Sequence, residues 1–152
     1  MIVIIDFGAQ YNQLIARRVR ENHVFCQIEP PGIPLSTLKA CQPEGIILSG
    51  GPSSIYEAGS PKVDPGIFSL GVPVLGICYG MQFMTAALGG SVERAGKREY
   101  GFAELCISAP SGLFKGIERN TTCWMSHGDS IRKLPKGFHA TASTPNTRFA
   151  AA

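Results

Sequence analysis

The first half of the chain alternates between short apolar runs and amphipathic stretches. The apolar runs are rich in Val and Ile, lack polar alternation, and lie at residues 2–5, 23–28, 45–49 and 73–77. Such runs are typical of strands buried on both faces of a parallel sheet. Segments with helical spacing or a helix-ending Gly or Pro follow them, at residues 13–22, 35–41 and 81–88. The pattern predicts an α/β fold, with an open, mostly parallel sheet and helices on both faces.

The pattern changes after residue 90. Residues 102–107 and 121–125 alternate between apolar and polar positions, and residues 139–144 form another candidate strand. Alternation of this kind predicts shorter, partly antiparallel strands, which we expect at one side of the parallel sheet. At 152 residues the chain has the size of one ordinary domain.

Composition and charge exclude several classes of protein. With 44% hydrophobic and 16% charged residues, the chain is neither disordered nor fibrous. The basic residues behind its net charge of +3 are scattered, and the one cluster, residues 17–20, falls on the solvated side of a predicted helix. We therefore expect no nucleic-acid partner. No run reaches the roughly 18 apolar residues of a membrane span, and the first residues do not form a signal peptide, so we expect a cytoplasmic protein without a membrane partner.

The cysteines indicate both a compartment and a candidate nucleophile. Five cysteines without a Cys-x-x-Cys pair favour a reducing compartment and predict neither a disulfide framework nor a metal site. Four of them are predicted to pack in the interior. The fifth stands in Gly76-Ile77-Cys78-Tyr79-Gly80, a pattern typical of a nucleophile elbow with strained backbone. We expect the N-terminus of the following helix to favour the thiolate of Cys78.

A glycine loop at residues 49–54 follows the third predicted strand. Because the carboxyl ends of parallel strands meet at one edge of a sheet, we expect this loop to lie beside Cys78. The backbone amides of Gly51 and Tyr79 are then predicted donors to an oxyanion that forms when the sulfur attacks an acyl carbon. A plain turn and a phosphate loop are the alternatives, but Pro52 removes an N–H group that a phosphate loop would need.

A histidine and a carboxylate lie close in sequence at Ser126-His127-Gly128-Asp129. One interpretation makes His127 the general base for Cys78. The other makes the segment a turn after a strand, in which Gly128 permits the bend and Asp129 caps the next element.

Together these residues resemble the class I glutamine amidotransferases over essentially the whole chain. The matching blocks lie at residues 6–20, 45–52, 76–82 and 124–129. The cysteine block is shared by the whole family, whereas the first and last blocks resemble the branch that serves GMP synthesis. The resemblance implies that residues 1–152 form one flavodoxin-like glutaminase domain that is incomplete, because the family's His-Pro-Glu segment would follow downstream.

The resemblance also implies roles for individual residues. Cys78 would attack the side-chain amide of glutamine, releasing ammonia and a γ-glutamyl thioester that water hydrolyses to glutamate. Gly51 and Tyr79 would supply the oxyanion N–H groups. Residues implied to hold glutamine are Gln82, Ser126, His127, Gly128 and Asp129.

The same resemblance implies which cofactors and partners the protein uses. The domain itself is expected to need no cofactor, while ATP and Mg serve a separate ATP-pyrophosphatase domain, on the same or a partner chain, that aminates XMP to GMP. Without the His-Pro-Glu segment we expect the 152 residues to turn over glutamine poorly. A homodimer of the parent protein is left open. The alternatives are a non-catalytic glutamine-binding or regulatory module, and an amidotransferase subunit that serves anthranilate, carbamoyl phosphate or CTP synthesis.

Overall fold

The structure, a computed structural model, describes residues 1–109 and 112–152, with only the backbone described for 95–99. These residues form two compact units, residues 1–84 and 85–152. No helix within the described ranges has the length and apolar character needed to cross a membrane.

The first unit is built on a parallel sheet, as the apolar runs predict. Its strands are β1 (Ile2–Ile5), β2 (Cys26–Glu29), β3 (Gly45–Leu48) and β4 (Val74–Gly76), in the spatial order β2-β1-β3-β4. The helices are α1 (Asn12–Glu21), α2 (Leu35–Ala40) and α3 (Tyr79–Ala87), and a 3₁₀ helix covers Pro65–Ser69. With β1 next to β3, the order is that of flavodoxin-like folds.

Each face of the parallel sheet carries its own apolar core, because alternate residues of β1 point to opposite faces. Val3 and Ile5 pack in a cluster whose other members include residues of α2, the 3₁₀ helix and α3, among them Leu38, Ile67 and Phe83. Ile4 packs on the other face with Ala16 of α1 and Cys26 of β2. The predicted covering of both faces by helices is confirmed.

The start of β2 differs from the prediction. The sequence predicted a strand from His23, but β2 begins at Cys26. His23 has φ +58°, and its N–H donates to the Arg20 carbonyl, so this residue belongs to the turn that ends α1. A left-handed residue cannot continue a strand, which moves the start of β2 by three positions.

The basic cluster of α1 lies in solvent as expected. Arg17 and Arg18 both form ion pairs with Glu21, and the side chains of the two arginines are exposed. Ion pairs between exposed side chains contribute little to stability, because water screens the charges. The cluster is therefore an ordinary helix surface.

The second unit is an antiparallel sheet. Its strands are β5 (Ser91–Ile107), β6 (Asn120–Lys133) and β7 (Ala142–Ser143), in the order β6-β5-β7, and a 3₁₀ helix covers Gly112–Phe114. Antiparallel strands are confirmed, but the predictions that they are short and that they extend the parallel sheet are wrong, because they pair with one another in a sheet of their own. β5 and β6 are long and pair with each other, and the candidate strand at residues 139–144 shrinks to β7.

Candidate active site

Cys78 lies directly between β4 and α3 and has φ +48°. A positive φ is uncommon for a residue with a β-carbon, and it stores strain that clusters at functional sites. The Cys78 carbonyl accepts a hydrogen bond of 3.0 Å from the Gln82 N–H, so the helix begins immediately after the cysteine. This is the conformation that the Gly-x-Cys-x-Gly pattern predicts.

The two flanking glycines are required by close backbone contacts. A β-carbon on Gly80 would lie 2.2 Å from the Leu48 carbonyl oxygen, and one on Gly76 would lie 2.7 Å from the Met81 Cα atom. Because both obstacles are backbone atoms, no side-chain rotation relieves them. The turn can close this tightly only with glycine at both positions.

Backbone hydrogen bonds join the turn at Cys78 to the end of β3. The Ile77 N–H donates to the Leu48 carbonyl at 2.9 Å, and the Gly80 N–H donates to the Ser49 carbonyl at 3.0 Å. The cysteine is thus held from both sides by its neighbours in the chain.

The glycine loop lies beside Cys78, as expected from the topology. A β-carbon built on Gly50 would stand 3.5 Å from the Cys78 Cβ atom, whereas one on Gly51 would stand 2.4 Å from the Phe7 carbonyl oxygen. A β-carbon at position 50 would therefore be in ordinary van der Waals contact with the Cys78 side chain. Glycine at position 51 lets the loop pack against the end of β1.

The Tyr79 side chain is anchored within the core. It is buried, its hydroxyl donates to the Pro61 carbonyl at 2.6 Å, and its ring meets the Phe7 ring edge-on at 5.1 Å. Burial raises the pKa of the Tyr79 hydroxyl above its ordinary value. These contacts fix the residue whose backbone amide follows the cysteine.

The pKa of the Cys78 thiol differs from the expectation. Cys78 is exposed as a residue, yet the protein around the sulfur removes enough water to raise the pKa of the thiol above its ordinary value. The prediction that the N-terminus of α3 favours the thiolate is therefore wrong for this state. Burial of the sulfur disfavours the charged thiolate, which is the cause of the raised pKa.

The remaining predicted site residues lie in both units. Gln82 is buried one helical turn after Cys78 in α3. Ser126, His127, Gly128 and Asp129 lie inside β6 of the second unit, so the interpretation of this segment as a turn, with Asp129 capping the next element, is wrong.

The reason is the pairing of β6 with β5. Ser126 is paired with Tyr100 and Asp129 with Arg94, and exposed and covered positions alternate through residues 120–126. Gly128 therefore sits within a strand, next to a register shift, rather than in a bend.

Sequence reasoning missed Ser49 and Gly50. Ser49 is completely buried, and Gly50 is the loop residue that faces Cys78. The available signal was a hydroxyl residue directly after an otherwise apolar buried strand. Across the described part of the chain, no group of three or more His, Cys, Asp or Glu side chains is arranged to hold a metal ion.

We predict that Gly80→Ala destabilises the protein by about 3 kcal/mol, because the new methyl group meets backbone that cannot move aside. Gly32→Ala is the matched control, since a β-carbon there meets nothing within 4 Å, and it should change the free energy of unfolding by about 0.5 kcal/mol or less. Urea unfolding measures both. Equal stability of the two variants would contradict the close contact.

We also predict that Cys78→Gly is more stable than Cys78→Ala by about 1 kcal/mol, because only glycine relieves the positive φ. The same pair at Cys41, whose φ of −71° is right-handed, should show the opposite order. Thermal unfolding of the four variants checks this. A more stable alanine variant at position 78 would rule out strain there.

The raised thiol pKa predicts slow alkylation at neutral pH. A higher pKa means less thiolate at pH 7, so the rate of iodoacetamide labelling at Cys78 should rise with pH through a midpoint above that of an unperturbed thiol. Peptide mass spectrometry assigns the label to Cys78, and the urea-unfolded protein supplies the reference midpoint. A folded midpoint at or below this reference would show that the helix end dominates.

The chain matches the family model of class-I glutamine amidotransferases over residues 3–152. It is 54% identical over 150 residues to a GMP synthase (glutamine-hydrolyzing) of Heliobacterium modesticaldum, covering 99% of this chain and 29% of that protein. A protein of the same name from Synechocystis is 54% identical over 151 residues, covering 99% of this chain and 28% of that protein. The chain therefore spans less than a third of the length of these relatives.

Solved structures agree with the sequence matches. A candidate GMP synthase subunit from Thermoplasma acidophilum superposes with a TM-score of 0.87 at 31% identity, covering 97% of this chain and 74% of that one. A glutamine amidotransferase from Thermotoga maritima shares the fold, with a TM-score of 0.77 at 20% identity, covering 96% of this chain and 67% of that one. The chain belongs to the class I glutamine amidotransferase family.

Proposed function

We propose that this chain is the glutamine-hydrolysing part of a GMP synthase. The observation that carries the proposal is Cys78 at φ +48°, on a turn between β4 and α3, with Gly50 of the neighbouring loop beside it. Ammonia from glutamine would pass to an ATP-pyrophosphatase domain, on the same or a partner chain, which uses ATP and Mg to aminate XMP. The GMP synthases that the chain resembles support this assignment.

The first chemical step is attack of the Cys78 sulfur on the side-chain amide carbon of glutamine. A carbon–sulfur bond forms, and the π electron pair of the carbonyl moves onto its oxygen. The backbone N–H groups of Gly51 and Tyr79 donate to this oxyanion, which carries more charge than the amide oxygen from which it forms. The preference for the charged oxygen is what lowers the barrier.

Collapse of the adduct releases ammonia. The electron pair on oxygen returns to the carbonyl, the carbon–nitrogen bond breaks, and the departing nitrogen takes up a proton. The proton that the Cys78 thiol gives up as the carbon–sulfur bond forms supplies the third hydrogen of ammonia. Water then adds to the thioester, the carbon–sulfur bond breaks, and glutamate leaves as the thiol regains a proton.

Glutamine must also be held for this reaction. We assign that role to Gln82, one helical turn from the nucleophile, and, from the family resemblance alone, to Ser126, His127, Gly128 and Asp129. Amide, hydroxyl and carboxylate groups match the amino, carboxylate and amide groups of an amino-acid ligand.

A second candidate function is a glutamine-binding module without turnover. The raised pKa of the Cys78 thiol favours it, because a protonated thiol is a poor nucleophile. The two candidates share the glutamine site and differ only in whether the sulfur reacts.

We predict that a chloromethyl ketone analogue of glutamine labels Cys78 stoichiometrically and that free glutamine slows the labelling at least tenfold, since both occupy one site. Intact-mass and peptide mass spectrometry measure the modification. Chloroacetone, which lacks the amino-acid part, is the reagent control, and Cys78→Ala is the protein control.

The outcomes separate the candidates. Labelling that glutamine blocks supports the glutaminase. An unlabelled thiol in a chain that binds glutamine by calorimetry supports the binding module. Equal labelling by the analogue and chloroacetone, without protection by glutamine, would refute both.

A second experiment tests the whole reaction. The chain is mixed with an ATP-pyrophosphatase domain, XMP, ATP and Mg²⁺, and glutamine-dependent formation of GMP is measured, with ammonium chloride as the reference nitrogen source.

A further inference from the structure

Ser49, directly after β3, uses all of its polar groups within the first unit. It is completely buried. Its backbone N–H donates to the Ile5 carbonyl at 3.1 Å, and its carbonyl accepts from the Gly80 N–H at 3.0 Å. Its hydroxyl oxygen accepts from the Phe7 N–H at 3.0 Å, and the hydroxyl donates to the Gly50 carbonyl at 2.9 Å. One residue therefore joins the end of β1, the glycine loop and the cysteine turn.

The bond to the Gly50 carbonyl sets the direction of the next amide. In a trans peptide the C=O and the following N–H lie in one plane and point in opposite directions. Holding the Gly50 oxygen therefore also aims the Gly51 N–H. Glycines on both sides leave this peptide unusually free to rotate, so an external hydrogen bond is needed to fix it.

We propose that Ser49 is a positioning residue, whose hydroxyl holds the Gly50–Gly51 peptide so that the Gly51 N–H faces the oxyanion formed on the Cys78 adduct. The inference rests on the proposed function, because it requires a carbonyl addition at Cys78. Ser49 contacts no substrate and acts only through the peptide. Its buried hydroxyl is held in place by the Phe7 amide, so the donor stays oriented before substrate arrives.

Two reagents distinguish this role from a merely structural one. The glutamine chloromethyl ketone reacts through addition of sulfur to a carbonyl, which creates an oxyanion before the sulfur moves to the methylene carbon and chloride leaves. Iodoacetamide reacts by direct displacement of iodide at a saturated carbon and creates no oxyanion. A misaimed Gly51 N–H slows the first reaction only, so the ratio of the two rate constants at Cys78 reports the oxyanion donor.

The test compares Ser49→Ala with Ser49→Thr and with the wild-type chain. Ser49→Ala should lower the chloroketone-to-iodoacetamide ratio at least tenfold, since loss of an oxyanion donor costs roughly 100-fold to 1,000-fold in related reactions. Ser49→Thr keeps a hydroxyl and should keep the ratio within about threefold of wild type, as a conservative rescue of the same hydrogen bond. Val3→Ala removes buried apolar atoms from β1 of the same sheet, and it should leave the ratio unchanged even as it lowers the melting temperature.

The outcomes are separable from those of the proposed function. If folded Ser49→Ala keeps the wild-type ratio of chloroketone to iodoacetamide rate constants, the positioning role is overturned. Equal slowing of both labelling reactions also overturns it, because the ratio is then unchanged. If Ser49→Ala does not fold, Ser49→Thr decides: a folded threonine variant that retains the wild-type ratio supports the role, and one that loses it tenfold or more overturns it. Failure of the proposed function shows in the wild-type chain itself, as equal labelling by the glutamine analogue and chloroacetone.

Discussion

The site depends on one close approach of backbone to backbone, where the turn at Cys78 lies against the end of β3. The Ile77 and Gly80 N–H groups donate to the carbonyls of Leu48 and Ser49, and a β-carbon on Gly80 would overlap the Leu48 oxygen. This contact fixes the start of α3 relative to the glycine loop that leaves β3. Without it, the nucleophile and the loop would be independent features of two neighbouring strands.

The strain at Cys78 is tolerated because its surroundings are rigid. A non-glycine residue in the left-handed region costs about 1–3 kcal/mol. Directly after it, α3 places Tyr79 and Phe83 in the core, where both rings contact Phe7 of the opening strand segment at centroid distances of 5.1 and 5.7 Å. Burying one aromatic side chain contributes roughly 1.5–3 kcal/mol. Packing of the helix thus offsets the cost of the turn that begins it.

The sequence was sufficient to predict the strands and helices of the parallel half of the chain, apart from the start of β2, because the signals there are local. Apolar runs define each buried strand, and Gly76 and Gly80 mark a turn that tolerates no β-carbon. The antiparallel half depends on pairing between distant residues. Whether Ser126 and Asp129 lie in a bend or a strand is decided by Tyr100 and Arg94 across the ladder, which no short window contains.

The thiol pKa and the hydrogen bonds of Ser49 escaped prediction for a related reason. The raised pKa of Cys78 comes from desolvation, which depends on how closely the folded chain surrounds the sulfur, and this is not visible in the sequence. Ser49 appears in sequence as a small polar residue beside two glycines. Only the fold brings the Phe7 amide to its hydroxyl and shows that no polar group of Ser49 is free for a ligand.

A raised pKa protects an exposed cysteine such as Cys78 from unwanted reactions. An exposed thiolate would be open to oxidation and to stray electrophiles, whereas a protonated thiol is nearly inert toward both. In the proposed reaction the leaving group is an amide nitrogen, which departs only when protonated, so an enzyme that ionised its thiol in advance would have to supply that proton from elsewhere. In the proposed reaction, a thiol that keeps its proton in the resting state would carry the proton that the departing nitrogen needs. The strained turn and the Gly51 and Tyr79 amides would then lower the barrier of the proposed reaction by stabilising the oxyanion, whatever the resting acidity of the thiol.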